Sequence, residues 1–112
     1  MSLESTYRAY LKAIDAKDWA AVACYAQPTV THNGRTFTNT EYALMVKETS
    51  SPYKGILFVP EKLVCNDAAG QVACRIRFDP HTWDGPAYEH VFYDFVDGKI
   101  SNVVSMIENS NQ

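Results

Sequence analysis

The sequence predicts an α+β fold: a curved, mainly antiparallel sheet of about four long and two short strands, rolled into a cone and covered by three helices from the N-terminal half. Three observations carry this expectation. The first fifty residues place apolar side chains at helical spacing. The second half runs as four β-branched and aromatic stretches separated by turn residues. The chain then ends on Tyr88 to Ile100, an aromatic strand that turns at Asp97-Gly98 into a second strand. So apolar a hairpin needs further strands and a helical cover. Helices first and a meander after is an α+β order. Long strands twist, so a sheet closed by helices encloses an interior.

Taken in order, Ser2 to Ala16 reads as a helix on Leu3, Tyr7, Leu11 and Ile14, with Tyr10 beside them. Asp15 to Asp18 breaks it, and Asp18 caps a second helix from about Trp19 to Ala26. Pro28 stops that helix. Thr29 to His32 and Arg35 to Thr38 form two short strands around the Asn33-Gly34 turn. Thr38-x-x-Glu41 fits a capping box that opens a third helix carrying Tyr42, Leu44, Met45 and Val46. Ile56 to Cys65 is a strand whose Pro60 demands a bulge or an edge position. Gln71 to Asp79 is a strand with Val72, Cys74, Ile76 and Phe78 on one face. Pro80 to Pro86 is a loop with His81, Trp83 and Asp84, and the hairpin follows, its last strand running from about Lys99 to Glu108. No repeat, linker or low-complexity segment divides the chain, so 1–112 is expected to be one domain.

The net charge is −3 with no basic run, which argues against nucleic acid and anionic membrane surfaces as partners. No apolar stretch approaches the ~20 residues that span a bilayer. The N-terminal Met1-Ser2-Leu3-Glu4 lacks the basic and apolar regions of a signal peptide. Cys24, Cys65 and Cys74 sit in apolar segments without ligand spacing, so they are expected to be reduced core residues of a cytoplasmic protein. No cofactor or metal is expected, because no ligand spacing supports one.

The element order and particular residues resemble the cone fold of nuclear transport factor 2. Tyr10, Ile14-Asp15-Ala16-Lys17-Asp18, Trp19, Ala23-Cys24-Tyr25-Ala26 and Thr29-Val30-Thr31-His32 are similar to ketosteroid isomerases. Val30-Thr31-His32-Asn33-Gly34, Ala73-Cys74-Arg75-Ile76-Arg77-Phe78, Glu89-His90-Val91-Phe92-Tyr93 and Asp97-Gly98-Lys99-Ile100 resemble SnoaL-like polyketide cyclases. The resemblance implies a small acid–base enzyme. It places Tyr10 at the isomerase tyrosine and His32 at its base. On the last strand it puts Val104 at a tryptophan and Glu108 at an acidic residue of the cyclases, so a pocket on Val104 is expected to be wider.

The candidate catalytic residues are therefore His32, Glu108, Glu89 and Arg75. His32 suits a base near neutral pH; a hydrogen-bonded histidine at a strand end is the plainer reading. Glu108 shares a row with Val104 and Met106, where a carboxylate would be desolvated and its pKa raised. Glu89 shares a more apolar row than His90, with Val91, Tyr93 and Phe95, and is expected inside, paired with Arg75 from the neighbouring strand. Tyr10, Trp83, Tyr93, Val104 and Met106 are the expected substrate contacts.

The function expected is acid–base isomerisation, cyclisation or rearrangement of an apolar polycyclic metabolite of polyketide or terpenoid type, in natural-product biosynthesis and without a cofactor. A non-catalytic binding or dimerisation module, an epoxide hydrolase and a nucleocytoplasmic carrier are the alternatives. A homodimer through the outer sheet face is expected, because alternating Val, Ile and Phe there need cover.

Overall fold

Each helix begins where a side chain satisfies an orphan backbone donor. Ser2 accepts from the Ser5 amide at 3.1 Å and opens α1 (Leu3–Asp15). Asp18 accepts from the Ala21 amide at 3.1 Å and opens α2 (Trp19–Cys24). The capping box of α3 (Asn39–Ser50) is reciprocal: the Thr38 amide donates to Glu41 Oε1 at 2.8 Å, and the Glu41 amide to Thr38 Oγ1 at 3.1 Å. The computed structural model describes residues 2–50, 57–79 and 86–109.

The strands are β1 (Ala26–His32), β2 (Arg35–Thr38), β3 (Leu57–Asn66), β4 (Gln71–Asp79), β5 (Pro86–Val96) and β6 (Lys99–Asn109). They form one sheet in the order β2-β1-β6-β5-β4-β3. The β1–β6 pairing is parallel and the other four are antiparallel. Four long and two short strands match the α+β expectation. One boundary differs: α2 ends at Cys24, and Ala26 already pairs with Ile100. The Ile100 amide donates to the Tyr25 carbonyl at 2.8 Å and draws the chain alongside β6. Pro28, which has no amide to give, lies within the register shift between Ala26 and Thr31 instead of ending a helix.

Two bulges shape the sheet. Glu61 is the extra residue beside Pro60, as the proline demands. Ser101 is the extra residue where Asp94 pairs with Asn102 but Phe95 pairs with Ile100. Its hydroxyl donates to the Asp94 carbonyl at 3.1 Å, and Asn102 Nδ2 donates to Asp94 Oδ2 at 3.2 Å. One inserted residue reverses the faces of everything beyond it. Ile100 points inward, and so do Val103, Ser105 and Ile107; Val104, Met106 and Glu108 are turned out.

The interior is built from Val72, Cys74, Ile76 and Phe78 of β4, Val91, Tyr93 and Phe95 of β5, and Ile100 and Val103 of β6. Tyr7, Tyr10, Leu11 and Ile14 of α1 and Tyr42 and Ala43 of α3 close over them. Burying each larger apolar side chain contributes about 1.5–3 kcal/mol before entropy is charged against it. Of the three cysteines, which are unpaired, Cys74 is buried, Cys65 half-buried and Cys24 exposed. The core expectation therefore fails for Cys24, which lies at the exposed last position of α2. Among the described residues, no helix is long and apolar enough to cross a membrane.

The turn between β3 and β4 depends on Gly70. Its φ is +70°, and a Cβ there would lie 2.4 Å from the Phe95 carbonyl oxygen, while the Phe95 amide donates to the Gly70 carbonyl at 2.6 Å. Gly34 has φ +83° but open space around it. In urea unfolding, Gly70→Ala is expected to cost roughly 1–3 kcal/mol more than Gly34→Ala. Equal losses would show that the contact with β5 does not constrain the turn.

Candidate active site

Glu89 stands on the inward row of β5, in register with Ile76 of β4 and Ile107 of β6. Apolar neighbours on both sides keep water from its carboxylate. Burial pushes its pKa up from an ordinary 4.5 to about 7, and a hydrogen bond from the Ser105 hydroxyl opposes that rise. Some accessible surface remains, because the cavity it lines is open at one end.

Two tyrosine hydroxyls meet within the same cavity. Tyr10 from α1 and Tyr42 from α3 are 2.6 Å apart, oxygen to oxygen, and both side chains are fully buried. Burial holds both hydroxyls protonated, and the negative charge of Glu89 reinforces this. Only one of the two protons is used in their mutual bond, so the other can be donated to an oxygen in the cavity. The Tyr93 ring packs 6.0 Å from Tyr10 and fixes the wall behind it.

His32 enters from the end of β1, half-buried, with its ring near Phe37 and Tyr42. Desolvation lowers its pKa, and an interaction with its own carbonyl weakly opposes that. Its Nε2 lies 3.4 Å from Ser105 Oγ, a long contact for a hydrogen bond. Ser105 thus stands between His32 and Glu89. Leu11, Ile14, Val91 and Val103 add apolar wall, and Thr49, Ser50 and Ile107 form the mouth of a cavity of about 160 Å³.

Several expectations are corrected by this arrangement. Glu108, Val104 and Met106 do share one row, but the bulge at Ser101 turns it outward. The Glu108 pKa is lowered, first by the hydrogen bond with His90 at 2.7 Å and then by Arg75, the reverse of a desolvated acid. Arg75 is not the partner of Glu89. It lies on the outer face, 2.9 Å from Glu61 and 3.3 Å from Glu108, and stacks over the Tyr88 ring at 3.7 Å. Neither Arg75 nor Glu108 meets His32. Trp83, His81 and Asp84 lie outside the described residues. His32, Glu89, Tyr10 and Tyr93 all line the cavity.

Tyr42 and Ser105 were not singled out by the sequence. Tyr42 read as one more apolar position of an amphipathic helix, and nothing local told that its hydroxyl faces Tyr10. Ser105 interrupts the run Val103-Val104-Ser105-Met106-Ile107, a signal that means something only once the bulge is known. Among the described residues, no three His, Cys, Asp or Glu side chains gather to hold a metal ion.

The buried carboxyl makes stability depend on pH. The folded state keeps a proton on Glu89 that the unfolded chain releases above about pH 4.5. Its contribution is therefore fully present below that pH and lost as pH rises through about 7. His32, with its lowered pKa, acts in the opposite sense as pH falls below 6.5. The difference in unfolding free energy between Glu89→Gln and the parent protein is expected to grow in favour of the variant by about 2–3 kcal/mol from pH 4.5 to 8. Chemical denaturation at each pH measures it, and a flat difference contradicts the assignment.

No protein-family model and no curated protein sequence matches the chain. Solved structures do. A SnoaL-like polyketide cyclase from Agrobacterium tumefaciens is 26% identical, superposes with a TM-score of 0.83, and the match covers 96% of this chain and 92% of that one. A protein from Kribbella flavida, provisionally assigned as a ketosteroid isomerase, is 17% identical with a TM-score of 0.76, covering 98% and 80%. IdmH from Streptomyces antibioticus, provisionally a polyketide cyclase, is 11% identical with a TM-score of 0.75, covering 96% and 92%. The last two likenesses speak to fold alone. Element order, sheet topology and these superpositions together show that the chain has the cone fold of nuclear-transport-factor-2-like proteins, with a SnoaL-like polyketide cyclase among the structures it is similar to.

Proposed function

We propose that the protein is a cofactor-independent acid–base enzyme that moves a proton on a small apolar carbonyl compound, so isomerising, cyclising or rearranging it. The observation that carries this reading is Glu89, a carboxyl with its pKa near 7, sharing a cavity with the hydrogen-bonded Tyr10–Tyr42 pair. A general base is most effective when its pKa lies near the working pH. The carboxylate takes a proton from the carbon beside a carbonyl, and the free tyrosine O–H donates to the carbonyl oxygen as negative charge develops there. Return of the proton at another carbon completes an isomerisation; attack of the enolate carbon on a second carbonyl, with the proton held by Glu89 passing to the resulting alkoxide, completes a cyclisation. His32 is the second acid–base group.

Among the described residues, the cavity lining holds no Lys or Arg, which favours a neutral substrate. A cavity of about 160 Å³ holds roughly one six-membered ring. The reactive ring of a larger polyketide- or terpenoid-type molecule would enter, with the rest at the mouth. The likeness to a SnoaL-like polyketide cyclase supports natural-product biosynthesis as the setting.

A second copy of the chain is proposed to cover the outer sheet face. Val64, Ala73, Phe92 and Val104 are in register across four strands there, and Val64 and Phe92 are 68% and 61% exposed. Such an apolar row, beside the Glu61–Arg75–Glu108–His90 ion cluster, fits a protein surface better than water. Phe92→Asp is expected to convert a dimer to a monomer in sedimentation equilibrium; a parent protein that is already monomeric sinks the idea.

A β,γ-unsaturated cyclohexenone is the probe for the reaction. The protein is expected to convert it to the conjugated isomer, followed by ultraviolet absorbance. Glu89→Gln is expected to lower kcat/KM by about 10²–10⁴-fold, and Tyr42→Phe by roughly 10-fold or more. Turnover that is indifferent to Glu89 contradicts the mechanism.

A further inference from the structure

The Asn33-Gly34 turn does more than reverse the chain. Asn33 adopts φ +48°, a left-handed conformation that Asn tolerates better than most residues. Its own amide donates to the Val103 carbonyl at 2.9 Å. Its side chain then reaches along β6: Oδ1 accepts from the Ser105 amide at 2.8 Å, and Nδ2 donates to the Ser105 carbonyl at 3.3 Å. The carboxamide thus stands in for one more peptide of β1, extending the parallel ladder past His32 after the backbone has turned away. Nδ2 also lies 3.5 Å from Ser105 Oγ. The same hydroxyl lies 3.4 Å from His32 Nε2, and Glu89 is the diagonal neighbour of Ser105 on the inward face of the β5–β6 pair, lining the same cavity.

We infer that Ser105 is a proton relay between Glu89 and His32, and that Asn33 is the positioning residue that holds it in place. The inference rests on the acid–base role proposed for Glu89. With Glu89 protonated and His32 neutral, the Glu89 O–H donates to Ser105 Oγ, and the Ser105 O–H donates to His32 Nε2. Transfer along this line breaks the Glu89 O–H bond and the original Ser105 O–H bond, and forms a new Ser105 O–H bond and an Nε2–H bond. The products are a Glu89 carboxylate, an intact serine hydroxyl and an imidazolium, so atoms and charge balance. Glu89 sits between isoleucines in the cavity, whereas His32 is half-exposed. The relay therefore links the desolvated base to a half-exposed group that exchanges protons with water.

Proton titration by NMR on the full chain, without substrate, tests this. The His32 ring signals are expected to show a second inflection where the Glu89 carboxyl carbon titrates. Ser105→Ala is expected to abolish that inflection and move the Glu89 midpoint up by roughly half a pH unit or more. Ser105→Thr, which keeps the hydroxyl, is expected to restore both. Asn33→Gly keeps the turn geometry but removes the amide, and is expected to reproduce the Ser105→Ala titrations in a protein whose amide spectrum remains folded. Titrations in Ser105→Ala that match the parent overturn the relay. Parent-like titrations in Asn33→Gly overturn the positioning role. The cyclohexenone assay is read separately. If the parent protein shows no turnover while the titrations behave as expected, the proposed reaction falls and the proton link stands.

Discussion

One extra residue in the last strand decides what the cavity can do. Without Ser101, the side chains of Ile100, Asn102, Val104, Met106 and Glu108 would share a face by simple alternation. With it, the inward row becomes Ile100, Val103, Ser105 and Ile107. The bulge is held by two hydrogen bonds to Asp94, so it is a built feature of the hairpin. It brings a hydroxyl to Glu89 and His32, and sends Glu108 to the opposite face. There Glu108 completes an ion cluster with Arg75 and His90 and is unavailable to the interior.

The second constraint is the burial of Glu89. A charged carboxylate between two isoleucines is costly unless it is neutralised or hydrogen-bonded. Here the cost appears as an elevated pKa, since no arginine reaches the carboxyl from the neighbouring strand as the sequence had led us to expect. A group destabilised in this way is suited to exchange protons near neutral pH. The tyrosine pair adds a fixed dipole where water is excluded, and a fixed dipole costs no reorganisation when charge develops beside it. The Glu89 carboxyl and the tyrosine hydroxyls come from different elements, β5 against α1 and α3, so the cone brings them together only when the sheet curls under the helices.

Much of the fold was legible because local signals agreed with one another. The capping box at Thr38 and Glu41, the Asp18 cap, the Pro60 bulge and the Asp97-Gly98 turn all form as their chemistry implies. The alternation in β4 and the apolar row around Glu89 placed those faces correctly. The candidate site was legible in part: His32, Glu89, Tyr10 and Tyr93, singled out by residue type, row and resemblance, all line the cavity. Glu108, Val104 and Met106 were misplaced for a single reason: a bulge without Pro or Gly leaves no mark in the sequence, and an error of one position inverts a strand. Arg75 followed the same logic in reverse. It alternates correctly with Cys74 and Ile76, which puts it outside, while Glu89 is inside.

A crystal structure with bound phenol, a planar mimic of a cyclic enolate, tests the central claim most directly. The account predicts the phenolic oxygen about 3 Å from the Tyr10 and Tyr42 hydroxyls, with a ring carbon facing the Glu89 carboxyl and Ser105 beside it. Phenol bound on the outer face, or a cavity that excludes it while Glu89 turns to solvent, would contradict the assignment of this cavity as the active site.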